Sequence, residues 1–347
     1  MPRTASPLPT LAQIARVAGV SVPTAFRVVN RRENVAPATR VRVEEAMRRT
    51  GYVRPPRAAP ATTPQLVDVV VHSLDSPWAG KVLRGAEAVA AERGLGIVVS
   101  GRLDGDGRPP DGWLERARAR ATAGVLFALA ELTATQYLWL ARHEIPYVVV
   151  DPVVEPPDGA PAVSAANLAG GRSATEHLLA LGHRRIAVIG GHRHTLCGGA
   201  RIDGYRSALA TAGVRIRPAY VRFADVDAAR AQQLTRQLLD LPGPPTAIFA
   251  CSDEMAMAVL RGAAASGLRI PQELSVVGFG DIPGARWTSP GLTTVRQPIA
   301  EMAAGGMRML VSMMYGEPLE AVRTQLPTRL MVRASTAPCA GVSGAVI

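Results

Sequence analysis

Long apolar runs are missing from this 347-residue chain. Although 48% of it is hydrophobic, no stretch approaches the roughly 18 apolar residues that a membrane-spanning helix needs. A mean hydropathy of +0.12 is that of an ordinary soluble globular protein. Cysteine is scarce: Cys197, Cys251 and Cys339 are odd in number and far apart, which argues against a disulfide framework and for a reducing compartment. The N-terminal MPRTASPLPT lacks the apolar core of a secretory leader, so a cytoplasmic location is expected.

Catalytic and cofactor signatures are missing too. Gly190–Gly191 follows a strand-like run but is not a GxGxxG fingerprint, and no GxxxxGK[ST] phosphate loop occurs. No nucleophile elbow is present, so no catalytic residue, enzymatic activity or cofactor is expected. His192, His194 and Cys197 crowd together in GGHRHTLC, but no fourth ligand is evident and no metal is expected. The tail APCAGVSGAVI holds no leucine heptads, which excludes a coiled-coil tetramer helix there.

What is present is positive charge, unevenly placed. Residues 1–60 hold eleven arginines against three glutamates, a surplus of eight out of the net +11, and the other 287 residues supply only +3. Such asymmetry suggests that the first segment meets a polyanion while the rest does something else. The length predicts two or three domains.

Three short helical patterns fill the basic segment. Leu11, Ile14, Ala15 and Ala18 fall on one helix face that Thr10 can cap, and Gly19 stops it. Ser21 can cap a second helix with Pro23 in its first turn and Ala25, Val28 and Val29 on its buried face. A third stripe, Val43, Ala46 and Met47, follows Pro37 and runs to Gly51. The spacing of Ala15, Gly19 and Val20 is that of a helix-turn-helix. From Thr10 to Tyr52, LAQIARVAGVSVPTAFRVVN and VAPATRVRVEEAMRRTGY closely resemble the headpiece of the lactose-repressor family of bacterial regulators.

A helix that starts at Ser21 and enters the major groove by its N-terminus presents Val22 and Pro23 to base edges, with Arg27 one turn on. Arg27 is the candidate for reading guanine, and Val22 and Pro23, lacking side-chain donors, are expected to touch thymine methyls. The resemblance places Thr10, Ser21, Thr24 and Asn30 at positions that face phosphates. Two departures stand out. Phe26 replaces a small polar residue, and VRPPRAAPATTPQ lacks the leucine that many relatives insert into the minor groove. Pro55, Pro56, Pro60 and Pro64 oppose a hinge helix, leaving Arg54 and Arg57 to grip phosphate or the minor groove.

From Leu66 onward, apolar runs alternate with helical stretches, the pattern of βαβ units with parallel sheets. The runs LVDVVV, GIVV, GVLFAL, YVVV, RIAVIGG, AIFACS and LSVVGFG read as strands buried on both faces. Seven exceed one small sheet, so two α/β lobes with a ligand crevice at the strand ends are expected. SPWAGKVLRGAEAVA, HLLALGHRRIAVIGG, ARIDGYRSAL, CSDEMAMAVLRGAAASGLRIPQELSVVGFGDI and LTTVRQP resemble, in order, the family's periplasmic-binding-protein-like core.

The expected organisation is a DNA-binding domain at residues 1–57, a proline-rich linker at 58–65 and a two-lobed effector-binding and dimerisation domain at 66–338. Lobe 1 takes about 66–163 and 296–320, and lobe 2 about 164–292 and 321–338, with crossings near 163–166, 290–296 and 320–326. The resemblance carries ligand positions to Asp75, Trp78, Arg201, Asp253, Asp281 and Gln297; Trp78 could stack on a sugar ring and Arg201 donate to hydroxyls or carboxylates. Asp253 also suits a helix N-terminus. Gly280 replaces the first acid of a usual pair and Ala166 replaces another, while Trp287 offers an alternative stacking face. The function implied is a homodimeric, sequence-specific repressor of operator DNA, controlled by a small sugar-like effector and having no membrane partner. A solute-binding protein, or a corepressor-dependent regulator with a non-sugar ligand, is the alternative.

Overall fold

The computed structural model describes residues 11–29, 35–50, 65–101 and 111–339. The chain divides into two units, Met1–Thr63 and Pro64–Ile347.

The first unit holds α1 (Leu11–Ala18), α2 (Val22–Val29) and α3 (Pro37–Thr50). Ile14, Ala15 and Ala18 of α1 pack with Ala25 and Val28 of α2 and Val43 and Ala46 of α3 into one small core. The turn between α1 and α2 needs a left-handed residue, which Gly19 supplies at φ +62° without the Cβ penalty. The Val20 N–H then closes the end of α1 on the Ala15 carbonyl at 3.0 Å.

The second unit contains two six-stranded sheets. In the first, β1 (Leu66–Val71), β2 (Gly96–Gly101), β3 (Gly124–Ala128), β4 (Tyr147–Val150), β5 (Ala162–Ala165) and β11 (Arg323–Leu326) lie in the order β11-β5-β4-β3-β1-β2, all parallel. In the second, β6 (Ile186–Gly190), β7 (Val221–Phe223), β8 (Ala247–Ala250), β9 (Ser275–Gly280), β10 (Thr293–Arg296) and β12 (Arg329–Met331) follow β12-β10-β9-β8-β6-β7, with β12 alone antiparallel. The first sheet packs with α4 (Pro77–Glu92), α5 (Asp111–Ala119), α6 (Ala134–Arg142) and α11 (Ile299–Met314). The second packs with α7 (Asn167–Ala180), α8 (Leu196–Thr211), α9 (Ala228–Leu239) and α10 (Asp253–Ala265). Burial on both faces explains why the central strands read as continuous apolar runs.

All seven expected strands are present, as β1–β4, β6, β8 and β9. The five others are short, three or four residues each, and three of them, β5, β10 and β11, are the crossing strands between the lobes. The crossings therefore fall after Ala165, Arg296 and Leu326. This corrects the expected lobe limits: β10 belongs wholly to the second lobe, and Arg323–Leu326 completes the first. β11 does so because its backbone pairs in parallel with β5, covering an edge that would otherwise lie open.

Candidate functional site

In the headpiece, the residues expected to meet base edges belong to α2. Ser21 precedes it, its Oγ accepting the Thr24 N–H at 3.3 Å and pairing with the Thr24 Oγ1 at 2.8 Å. Val22, Pro23 and Arg27 occupy the first turns of α2. Thr10, Asn30, Arg54 and Arg57 lie outside the described residues, as does the linker at 58–65 except for Gln65.

Between the lobes of the second unit is a cavity of about 360 Å³ built from the carboxyl ends of strands. β1 leads to Ser76 and Trp78, β4 to Asp151, β8 to Cys251 and Asp253, and β9 to Gly280. Ser76 caps α4 and Ser252 caps α10, so each helix points its N-terminus at the crevice. Asp151 is held at φ +52° and is 1% exposed.

Arg201, on α8, organises the floor. Its Nε donates to Asn167 Oδ1 at 2.8 Å, one terminal nitrogen donates to the Cys251 carbonyl at 2.7 Å, and the other to Gln297 Oε1 at 3.4 Å. The guanidinium stacks on Phe279, 3.8 Å from the ring centroid, and stands 3.9 Å from Asp151. Gln297 Nε2 donates to Asp151 at 2.7 Å, and Trp78 Nε1 donates to Gln297 Oε1 at 3.4 Å. One network thus joins residues of both lobes and the crossing between β10 and α11.

Three further contacts bridge the lobes. Ser76 Oγ donates to Glu254 at 3.4 Å, Lys81 Nζ to the Asp281 carbonyl at 2.6 Å, and the Leu196 N–H to the Val153 carbonyl at 2.9 Å. Burial of the Lys81 ammonium lowers its pKa, against the pull of Asp281 and Asp253. The thiols of Cys197 and Cys251 are pushed up by burial, Cys251 to about 12, so neither is poised as a thiolate.

Of the expected ligand residues, Trp78, Arg201, Asp253 and Gln297 line the cavity. Three do not. Asp75 stands on the turn before α4, its N–H on Ser73 Oγ at 3.3 Å. The Asp281 carboxylate turns away to Arg296 at 2.8 Å and to Arg333. Burial raises the pKa of Asp281, but the bonds from Arg333 and Arg296 outweigh it and hold the group below the usual range. Trp287 is 82% exposed, directly after the 3-10 turn beyond β9, and does not line the crevice. Asp151, Glu131, Glu254 and Phe279 line it without having been foreseen. Asp151 had a signal: an acid directly after the buried run YVVV is where such crevices place polar groups. Among the described residues no three His, Cys, Asp or Glu side chains are grouped to hold a metal.

Asp253 is buried, with Thr294 Oγ1 and the Ile282 N–H (2.8 Å) donating to its two oxygens. Burial pushes its pKa up to about 6, outweighing those bonds, a shift worth about 3 kcal/mol. The folded state therefore holds this proton more tightly than the unfolded chain, and the group's contribution to stability falls as pH rises from about 4 to 6. Asp253→Asn, with Oδ1 toward Ile282 and Nδ2 toward Thr294, is expected to gain melting temperature over the natural chain as pH rises through that window. Parallel melting curves at pH 4.5 and 7 check this, and a pH-independent difference would contradict it.

A family model for "Bacterial regulatory proteins, lacI family" matches residues 10–55, and one for a "Periplasmic binding protein-like domain" matches residues 175–336. The HTH-type transcriptional regulator CelR of Thermobifida fusca is 35% identical over 337 residues, covering 94% of this chain and 98% of its own. The HTH-type transcriptional repressor CytR of Escherichia coli is 30% identical over 329 residues, covering 94% and 96%. Among solved structures, a CelR-cellobiose complex superposes with a TM-score of 0.71 at 34% identity, covering 94% of this chain and 99% of that one. The lac repressor dimer bound to operator and the anti-inducer ONPF superposes with a TM-score of 0.68 at 26% identity, covering 95% and 99%.

Proposed function

The chain belongs to the lacI family of bacterial regulatory proteins and is a DNA-binding transcriptional regulator, and from that premise we propose that it represses from the cytoplasm as a homodimer whose grip on a pseudo-palindromic operator is set by a sugar-like effector in the cleft. The observation that carries the reading is the presence, in one chain, of a basic helix-turn-helix unit and a crevice between lobes tied together by a single polar network. Filling or emptying the crevice changes what the network and the bridging contacts can hold, which gives two states for an effector to bias. Relatives with cellobiose and ribose bound support a carbohydrate effector. The site is read as binding without turnover: two of its serines are spent on helix caps and its thiols are protonated.

On the DNA side the proposed reader is Arg27 with Val22 and Pro23 beside it, while Thr10, Ser21, Thr24, Asn30, Arg54 and Arg57 hold phosphates or the minor groove. In the cleft the proposed ligand residues are Trp78, Arg201, Asp253 and Gln297. Arg27→Ala is expected to cost about 1–3 kcal/mol of operator affinity and to relax preference at one base pair per half-site. Fluorescence anisotropy of a labelled operator at fixed salt measures it; loss spread evenly over all sequences would make Arg27 a phosphate contact instead. The same assay tests the effector. Titrating the complex with mono- and disaccharides, cellobiose and ribose included, should reveal one that weakens binding at least tenfold, and a panel without effect would contradict the proposed control.

A further inference from the structure

We propose that Asp281 is a positioning residue that latches the two lobes: its carboxylate, gripped by arginines at the hinge, aims its own carbonyl at Lys81 of the opposite lobe. Asp281 directly follows β9, and at φ +50° it is left-handed, a backbone that a non-glycine residue keeps only where its surroundings hold it. The holding groups are identifiable. Arg296, the last residue of β10 before the crossing, donates to one carboxylate oxygen at 2.8 Å, Arg333 donates to the other, and Arg286 stands 3.9 Å away. Arg333 is itself anchored, its side chain on the Leu292 carbonyl at 2.7 Å and its N–H on Thr293 Oγ1 at 2.9 Å. The carboxylate they enclose is 1% exposed.

With the side chain fixed to lobe 2, the Asp281 carbonyl accepts from Lys81 Nζ of α4, in lobe 1, at 2.6 Å. The ammonium is half-buried; Asp281, Asp253 and Glu301 attract it and Arg296 repels it. A charged donor in such a setting makes a stronger bond than a neutral one in water. A separate contact, the Leu196 N–H on the Val153 carbonyl at 2.9 Å, joins the lobes through different segments. Lobes that move as bodies open together, so loosening the latch must also expose the Leu196 amide. The latch thereby sets the lobe equilibrium that any crevice ligand must bias, whatever its class.

The test is hydrogen exchange on the full-length protein with no sugar added, resolved to the Leu196 amide. Lys81→Met keeps an unbranched chain and removes the donor; it should speed exchange at Leu196 about tenfold, while β6 in the core of lobe 2 keeps its natural protection. Asp281→Asn leaves the carbonyl in place and removes the charge that the arginines hold. It should speed Leu196 as well, an effect at a distance that a purely local set of ion pairs would not have. Unchanged exchange at Leu196 in either variant overturns the proposal. Equal acceleration at β6 overturns it too, because that is general loosening of the fold. No ligand or operator enters the measurement, so failure to find a responding sugar would count against the effector reading alone.

Discussion

Gly204→Val is expected to abolish the native packing of the second lobe. α7 and α8 cross so closely that a Cβ at Gly204 would stand 2.2 Å from the Leu168 carbonyl oxygen and 2.6 Å from the Arg172 nitrogen, and one at Gly171 would stand 2.1 Å from the Arg201 carbonyl oxygen. Backbone atoms cannot swing aside as a flexible side chain can, so the two helices must separate, at a cost of about 3 kcal/mol or more. A melting temperature lower by about 5–10 °C, or failure to accumulate in soluble form, is the expected result. Gly199 lies on the same helix with nothing within 4 Å of its Cβ position, and Gly199→Ala should be neutral or slightly stabilising. Equal melting of the two variants would contradict the close crossing.

Arg201→Leu is expected to cost about 3–5 kcal/mol of stability, because it leaves Asp151 buried beside an apolar chain and strands the acceptors on Asn167 and Cys251. Its second effect is loss of any effector response, since the network between α8 and Gln297 goes with it. Arg201→Lys should recover part of the stability and little of the response, as an ammonium can neither fork to three partners nor stack flat on Phe279. Denaturant unfolding and effector titration read the two effects separately; a Leu variant with native stability would contradict the cost assigned to the network.

Much of this was legible in the sequence. Continuous apolar runs such as LVDVVV and LSVVGFG named strands because both faces of a covered parallel sheet are dry. The three headpiece helices were legible from Gly19, Ser21 and Pro37, residues whose backbone or capping chemistry marks ends. The crossing strands were not. AVSA, TTVR and RTQL are short, and what makes each a strand is its partner across the sheet, a long-range fact with no local pattern.

The cleft divided along the same line. Trp78, Asp253 and Gln297 lie where motif order put them, but Asp281 and Trp287 carry ligand-like chemistry on side chains the backbone aims elsewhere. At φ +50° Asp281 delivers its carboxylate to Arg296 and Arg333, and only its carbonyl meets Lys81 from the other lobe. Gly280, the position that lacks the usual acid, has its own reason in the fold. At φ +131° it adopts a backbone that side chains avoid, while a Cβ there would make only an ordinary 3.4 Å contact with the Asp253 carboxylate, so it is the backbone that favours glycine.

The most direct test of the central claim, a dimer that reads a two-fold sequence, is selection of bound duplexes from a random DNA pool by the purified full-length protein at physiological salt. An enriched inverted repeat, with half-sites spaced for two headpieces on one face of the duplex, is the result this account predicts. Enrichment of a single asymmetric element, or retention of the pool with no sequence preference by a folded dimer, would contradict it.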